Sequence, residues 1–127
     1  MSTKPLYILT LAGVVACASA GGSGTGTHRE HNLITEQEIA DSRETNALDV
    51  VTRLRPMFLK TRGRSTISAG GSEYASVFVD GVFYGNLGSL RSIVASQIHE
   101  IRYLSGVESG SKYGIRYGSG AIDVRTK

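Results

Sequence analysis

Two short apolar runs on either side of Asp80-Gly81 constrain the fold of this chain more than any other feature of its sequence. Residues 77–79 read VFV and residues 82–84 read VFY, and both runs suit half-buried strands. Asp-Gly between two such runs is a strong hairpin signal, because both central positions of the turn need positive φ. We therefore expect Asp80 and Gly81 to act as structural turn residues.

The residues after this hairpin predict a helix and two more strands. Apolar residues recur at helical spacing across residues 87–93. A strand is expected from about residue 98 to residue 104, and Ser105-Gly106 breaks it. A small loop containing Tyr113-Gly114 should follow, and the alternation of Ile122 and Val124 with Asp123 and Arg125 predicts a last strand.

Helix signals dominate the chain before the hairpin. Thr35 and Glu38 form a T-x-x-E capping box, which predicts a short helix through about Ser42. Asn46 is a second N-cap residue, and Pro56 should end the helix that it opens, because proline disfavours helical geometry in the preceding residue. The helices and strands together predict an α+β domain.

The expected architecture is a small mixed sheet with short helices packed on one side of it. Met57–Phe58 is expected to be a short extended segment. Residues 61–72 are polar and rich in glycine, which is typical of a loop. The strand over residues 77–79 should be covered on both sides or central in its sheet, because large apolar residues occupy both alternating sets.

Length and charge limit the classes of function. A chain of 127 residues has room for one small domain, and its formal net charge of +3 is modest. Five basic residues cluster in one stretch, Arg53, Arg55, Lys60, Arg62 and Arg64. No RNA-binding aromatic motif, zinc-finger spacing or recognition-helix pattern accompanies them, so we interpret the cluster as a solvated face and expect no nucleic-acid partner.

The first residues have the features of a bacterial export signal. Lys4 provides the positive start, and an apolar run too short to span a bilayer follows it. The residues before Cys17 read VVA and resemble a lipobox, which predicts a signal peptide over residues 1–16 and a lipid attached to Cys17. Residues 18–20 (ASA) also fit ordinary secretory cleavage, which would leave a soluble periplasmic protein with Gly21 as its first residue.

Residues 17–32 are expected to be a flexible tether, because their Gly- and Ser-rich composition buries little apolar surface. His28 and His31 could meet on one helical turn as metal ligands. No second cluster of ligands accompanies them, so we interpret both as solvated residues and predict neither a metal site nor a cofactor.

Residues 33–127 resemble the plug domain of TonB-dependent outer-membrane receptors. The resemblance is carried by the order and spacing of several short motifs. They are Ile34-Thr35-Glu36-Gln37-Glu38-Ile39, Asn46-Ala47-Leu48-Asp49-Val50-Val51, Val79-Asp80-Gly81-Val82, Ile98 through Gly106, Tyr113-Gly114, and Gly120 through Lys127. The resemblance implies a plug-like domain in the cell envelope.

In such receptors a long β-barrel follows the last strand of the plug, whereas this sequence ends at Lys127. The leading hypothesis is a lipid-anchored, non-enzymatic module on the outer membrane, facing the periplasm or the surface, that binds a protein partner or a small ligand. An alternative is an accessory or remnant of a TonB-dependent receptor that docks on a separate barrel. A third hypothesis is an envelope hydrolase.

We predict no catalytic residues, because the carboxylates are scattered, no serine lies in a G-x-S-x-G motif, and Cys17 is a lipid site. Tyrosines beside glycines in expected loops are candidates for partner binding. The predicted binding residues are Tyr84, Asn86, Tyr113 and Tyr117. Phe78 and Tyr103 are expected in the core.

Overall fold

The computed structural model of the protein describes residues 30–61 and 73–127. They form an α+β fold with a five-stranded mixed sheet, as the sequence predicted. The strands are β1 (Leu33–Thr35), β2 (Ser76–Val79), β3 (Val82–Gly85), β4 (Ile98–Leu104) and β5 (Ala121–Thr126). The α-helices are α1 (Glu36–Ser42), α2 (Ala47–Leu54) and α3 (Gly106–Tyr113). Short 3-10 helices span Pro56–Leu59, Leu87–Ser92, Ala95–Gln97 and Ile115–Tyr117.

The strands lie in the order β1-β4-β5-β2-β3. Strand β4 pairs antiparallel with both β1 and β5, and β2 pairs parallel with β5 and antiparallel with β3. The last strand of the chain, β5, therefore lies at the centre of the sheet, and β3 lies at one edge. Since β2 lies between two strands, its expected cover on both faces is confirmed: Val77 and Phe78 are both buried.

One face of the sheet, called the first face below, carries the main hydrophobic core. The side chains that share this face include Ile34, Val77, Ile101, Ile122 and Val124, which are all fully buried. Helices α1 and α2 cover them through Ile39, Val50 and Val51, and the helix over Leu87–Ser92 adds Leu90. Burial of this apolar face is the main contribution to the stability of the fold.

Both predicted helix starts are confirmed. The Thr35 side chain accepts a hydrogen bond from the Glu38 backbone N–H, and the Glu38 carboxylate accepts one from the Thr35 backbone N–H. The Asn46 side chain accepts a hydrogen bond from the backbone N–H of Asp49, 3.0 Å away. Helix α2 ends at Leu54, so the predicted end of that helix before Pro56 is also confirmed.

The segment after Pro56 was predicted wrongly. Residues Pro56–Leu59 form a 3-10 helix, so Met57–Phe58 is not extended. Proline at the first helical position has a φ that suits a helix. Its missing N–H costs no hydrogen bond there, because the first N–H groups of a helix have no acceptor within the helix. The turn brings Phe58 into the core, where its ring stacks on that of Tyr103 with centroids 5.2 Å apart. The predicted loop over residues 61–72 lies outside the described residues, apart from Thr61.

The Asp80-Gly81 turn is confirmed. Asp80 has φ of 50° and Gly81 has φ of 84°, and Val79 pairs with Val82 across the turn. The Asp80 carboxylate also accepts hydrogen bonds from the backbone N–H and the hydroxyl group of Thr126, at 2.9 and 2.6 Å. These two hydrogen bonds lower the pKa of Asp80. The turn residue thus ties the hairpin to the end of β5.

The segment after β4 is the second correction. Ser105-Gly106 ends the strand as predicted, but the residues up to Tyr113 form helix α3 and not a loop. The sequence signal for this helix was S-x-x-E, which forms a capping box. The Ser105 side chain accepts a hydrogen bond from the Glu108 backbone N–H, and the Glu108 carboxylate accepts one from the Ser105 backbone N–H. Two glycines within the helix, Gly106 and Gly110, concealed it, because glycine disfavours helix interiors.

The position of α3 gives the third correction, because helices lie on both faces of the sheet and not on one. On the opposite, second face, Phe78, Leu104 and Ala121 are buried beneath Tyr113 of α3 and Tyr117 of the following 3-10 helix. Among residues 30–61 and 73–127, this cover reaches only the half of the second face near the end of β4. The other half carries charged side chains from β4 and β5.

Candidate functional site

Four aromatic rings form a cluster on the second face, called the aromatic cluster below. Phe78 lies at its centre and is buried. The ring of Tyr113 stacks on it at a centroid distance of 3.6 Å, and the rings of Tyr117 and Phe83 meet it edge-on at 5.0 and 5.8 Å. Phe83 and Tyr117 also contact each other, at 5.7 Å. The cluster therefore extends from the buried sheet to the solvent along β3.

Strand β3 ends the sheet with apolar side chains that remain exposed. Val82 is 70% exposed, Phe83 53% and Tyr84 47%. Together with Tyr117 these three residues are called the aromatic edge below. In this hairpin Val79 and Val82 form the pair next to the turn. The next residue of β3, Phe83, should therefore direct its backbone N–H and C=O away from β2, because hydrogen-bonded and non-hydrogen-bonded pairs alternate along an antiparallel ladder. The aromatic edge thus combines apolar side chains with the outer side of an edge strand.

The structure places Tyr84 within β3 and Asn86 just after the end of that strand. Tyr84 belongs to β3, and its hydroxyl group lies 2.9 Å from Oγ of Ser92. Asn86 is the N-cap of the 3-10 helix over Leu87–Ser92, where its side chain accepts a hydrogen bond from the Gly88 backbone N–H at 3.0 Å. Tyr84 keeps an exposed ring, whereas the Asn86 side chain already has a structural role.

Tyr113 and Tyr117 are brought together around Phe78. Tyr117 lies in the 3-10 helix over Ile115–Tyr117, so it too is outside the expected loop. The Tyr113 hydroxyl group donates a hydrogen bond to Oδ2 of Asp123 at 3.1 Å, and burial raises the pKa of Tyr113. Tyr113 therefore holds α3 on the sheet, and both tyrosines are partly buried where they pack against Phe78.

Sequence reasoning did not find a group of charged residues on the uncovered half of the second face. Five side chains line a cavity of about 130 Å³ there, and they are called the charged groove below: Glu100, Arg102, Lys112, Asp123 and Arg125. An adjoining cavity of about 480 Å³ shares Lys112, Asp123 and Arg125 and continues to Asp80 and His99. The two cavities together form a polar surface of mixed charge.

An ion pair between a buried carboxylate and a half-exposed lysine anchors the charged groove. Nζ of Lys112 lies 2.7 Å from Oδ2 of Asp123, and this hydrogen bond raises the pKa of Lys112. Oδ1 of Asp123 is buried without a hydrogen-bond partner, which leaves an acceptor that a water molecule or a ligand could satisfy. A carboxylate between Ile122 and Val124 was the sequence signal for this pair, but its partner on α3 is eleven residues away.

The remaining candidates for chemistry do not form a site within the described residues. No three His, Cys, Asp or Glu side chains lie together there as metal ligands. Nδ1 of His99 lies 3.1 Å from Oε2 of Glu36, and both side chains are exposed. Of the predicted basic cluster, Arg53 and Arg55 are paired with Glu44 and Glu38. Cys17 and His28 lie outside the described residues.

Comparisons of the chain with protein-family models, with curated proteins and with solved structures found no match. In the part of the chain that the structure describes, none of the helices has the length and apolar character needed to cross a membrane. Two surfaces of distinct chemistry therefore define the candidate sites: the apolar aromatic edge and the polar charged groove.

Proposed function

We propose that the chain is a non-enzymatic interaction module of the bacterial cell envelope, which binds a protein partner through the aromatic edge. The observation that carries this proposal is the exposure of three successive apolar residues, Val82, Phe83 and Tyr84, on an edge strand. Proteins usually protect such a strand with charges, proline or a covering element. Here none of the three β3 side chains carries a charge.

The chemistry of the edge favours a polypeptide as the partner. An extended segment of another protein can hydrogen-bond to the outer side of an edge strand, while its side chains contact those of the strand. Tyrosine and phenylalanine are enriched at protein interfaces, because each removes a large apolar area from water. Phe83 and Tyr117 already contact each other, so the surface is partly organised before the partner binds.

The envelope location rests on the sequence of the first 32 residues. An apolar run, a lipobox-like VVA-Cys17 and a Gly/Ser-rich stretch are the features of a lipid-anchored protein on a tether. Mass spectrometry of the mature protein from a bacterial host tests this part of the proposal. A lipid-modified Cys17 at the N-terminus is expected. An unmodified N-terminus at Gly21 would contradict the lipid anchor and leave a soluble periplasmic protein.

The resemblance of residues 33–127 to receptor plugs favours a second candidate, in which the partner is a β-barrel protein encoded separately. This candidate uses the same aromatic edge. It differs in the partner: a barrel wall is a formed sheet, whereas a strand-adding partner supplies an extended segment. The identity of the cross-linked partner distinguishes the two.

Site-specific cross-linking in the envelope tests the interaction. A photo-reactive phenylalanine analogue replaces Phe83 in the full-length chain, and the matched control carries the same analogue in place of Val107, which is exposed on α3. We expect a discrete adduct of higher mass from position 83 and none from position 107. The variant Phe83→Lys should remove binding while keeping the circular-dichroism spectrum, because a charge on an edge strand opposes strand addition.

The absence of an adduct at position 83 in an envelope preparation, with the protein folded, would contradict the proposal. Adducts of equal yield from positions 83 and 107 would contradict it as well, since they would indicate random collisions. Mass spectrometry of the adduct then identifies the partner, and a barrel protein would select the second candidate.

A further inference from the structure

A second surface of the molecule carries an inference that is independent of the aromatic edge. The charged groove lies on the uncovered half of the second face, across β4 and β5 and beside α3. The cavity of about 130 Å³ is lined by Arg102, Lys112, Arg125, Glu100 and Asp123. With three cationic side chains and two carboxylates, the lining of this cavity has a net positive charge.

The charges in the groove are arranged in two layers. The side chain of Asp123 is 8% exposed and that of Glu100 is 19% exposed, whereas the side chains of Arg125 and Lys112 are 64% and 49% exposed. The carboxylates therefore lie at the floor, and the cationic side chains reach toward the solvent. A ligand that enters the groove meets guanidinium and ammonium groups first.

The carboxylates at the floor also hold two of the cations in place. Nζ of Lys112 lies 2.7 Å from Asp123, and the Arg125 guanidinium lies 3.3 Å from Glu100. Long side chains lose conformational entropy when they bind a ligand, so cations that are already held in position bind at a lower entropic cost. Each cation retains further N–H donors, because a guanidinium has five and an ammonium has three.

The other charged groups around the groove have partners elsewhere. Both oxygens of the Asp80 carboxylate accept hydrogen bonds from Thr126, and His99 contacts Glu36. Arg102 lies 3.9 Å from Glu30, a long contact between two partly exposed side chains that solvent weakens. Arg102 can therefore turn toward a ligand beside Arg125 at small cost.

We propose that the charged groove binds an oxyanion of the phosphate type, presented as a phosphate monoester or as a phospholipid headgroup. Arginine binds phosphate through parallel N–H···O bonds, and lysine adds a point charge. Arg102, Lys112 and Arg125 provide both kinds of donor around one small cavity. The carboxylates of Asp123 and Glu100 are less exposed than Lys112 and Arg125, and they hold these two cations in position.

Nuclear magnetic resonance with the full-length chain tests the proposal. The probes are inorganic phosphate and glycerol phosphate, added at constant ionic strength maintained with chloride. We expect saturable shifts of backbone amides in residues 100–104 and 121–126. The variants Arg125→Gln and Arg102→Gln should each weaken binding at least fivefold. Arg53→Gln is the matched control, because Arg53 is 63% exposed and ion-paired with Glu44, and it should leave binding unchanged.

Vesicles distinguish the two sources of the phosphate group. Stronger binding to vesicles that contain an anionic phosphomonoester lipid than to purely zwitterionic vesicles, lost in Arg125→Gln, assigns the site to a headgroup. Binding of glycerol phosphate alone assigns it to a soluble ligand. Shifts that do not saturate, or an equal loss of binding in Arg53→Gln, would overturn the proposal, since both indicate general charge screening.

Discussion

The first face of the sheet is apolar from β1 to β2, whereas the second face changes from apolar to charged along β4 and β5. On the first face, residues such as Ile101, Ile122 and Val124 are fully buried beneath α1 and α2. On the second face, α3 covers only the half around Phe78. Alternation along a single strand thus separates two roles: the first face holds the fold together, and the second face leaves surface available for binding.

Substitutions in β5 should therefore affect stability differently on the two faces of the sheet. Ile122→Ala creates a cavity in the first-face core, and we expect it to lower the free energy of unfolding by about 2–5 kcal/mol. Arg125→Ala, on the second face, should change it by about 0.5 kcal/mol or less, because exposed ion pairs contribute little. Urea denaturation of the full-length chain measures both. Equal losses would contradict the division between the faces.

At Gly81, in the turn of the hairpin, a substitution should act through backbone conformation and not through side-chain packing. A Cβ at Gly81 would meet no atom within 4 Å, but φ is +84° there. Gly81→Val should therefore cost about 1–3 kcal/mol through backbone strain alone. Gly110→Ala, in α3, also has open space for its Cβ and no positive φ; it should stabilise the protein by about 0.4–1 kcal/mol. An unchanged urea midpoint in Gly81→Val would contradict this account of the turn.

Helix α3, which covers part of the second face, should unfold locally while the core on the first face stays folded. Ser105→Ala removes the N-cap of α3, and we expect a loss of about 1 kcal/mol. Amide hydrogen exchange should accelerate in residues 106–113 and stay slow in β4 and β5, because weakly packed elements open as local units. The matched control is Thr35→Ala, which removes the equivalent cap of α1. Faster exchange throughout the sheet in Ser105→Ala would show that the two faces open together.

Lowering the pH should have the smallest effect on stability, and this effect should also be confined to α3 on the second face. The Glu108 carboxylate accepts hydrogen bonds from the backbone N–H and the hydroxyl group of Ser105, and these bonds lower its pKa. A lowered pKa means that the stabilisation is complete at neutral pH and is lost as the pH falls through that lowered pKa. Protection of α3 amides should therefore decrease once the pH falls below the ordinary pKa of glutamate, about 4.3.

Glu108→Gln keeps an acceptor at the same position without a titrating carboxylate, since glutamine also fits the capping box. We therefore expect the protection of α3 in this variant to be nearly constant over the same pH range. If the variant and the original chain lose protection equally, another group causes the acid sensitivity.

Local signals in the sequence were sufficient for most of the elements. The capping residues Thr35 and Asn46 and the Asp80-Gly81 turn act on their own neighbours, so their effects can be read from a few adjacent residues. The same reasoning missed α3, although Ser105 and Glu108 carry an equivalent signal, because glycines within the helix weakened it. It also missed the 3-10 turn after Pro56, whose geometry is stabilised by the distant ring of Tyr103.

The candidate sites were predicted less completely than the fold. Tyr84 and Tyr117 were predicted to bind a partner, but the contact of Tyr117 with Phe83 depends on where β3 and the 3-10 helix after α3 lie on the sheet. Lys112 and Asp123 belong to different elements and come together only because α3 crosses the second face. Neither residue type, taken alone, indicates an ion pair at that position.

The sequence by itself determined the α+β class, the two capped helices, the hairpin and the alternating pattern of β5. These features arise from backbone preferences and from interactions between residues a few positions apart. Only the tertiary structure decided that β5 lies between β4 and β2, that helices cover both faces, and that Arg102, Lys112 and Arg125 share one groove. The physical reason is that strand order and surface grouping depend on long-range burial of apolar area, which is non-directional and has no signature in neighbouring residues.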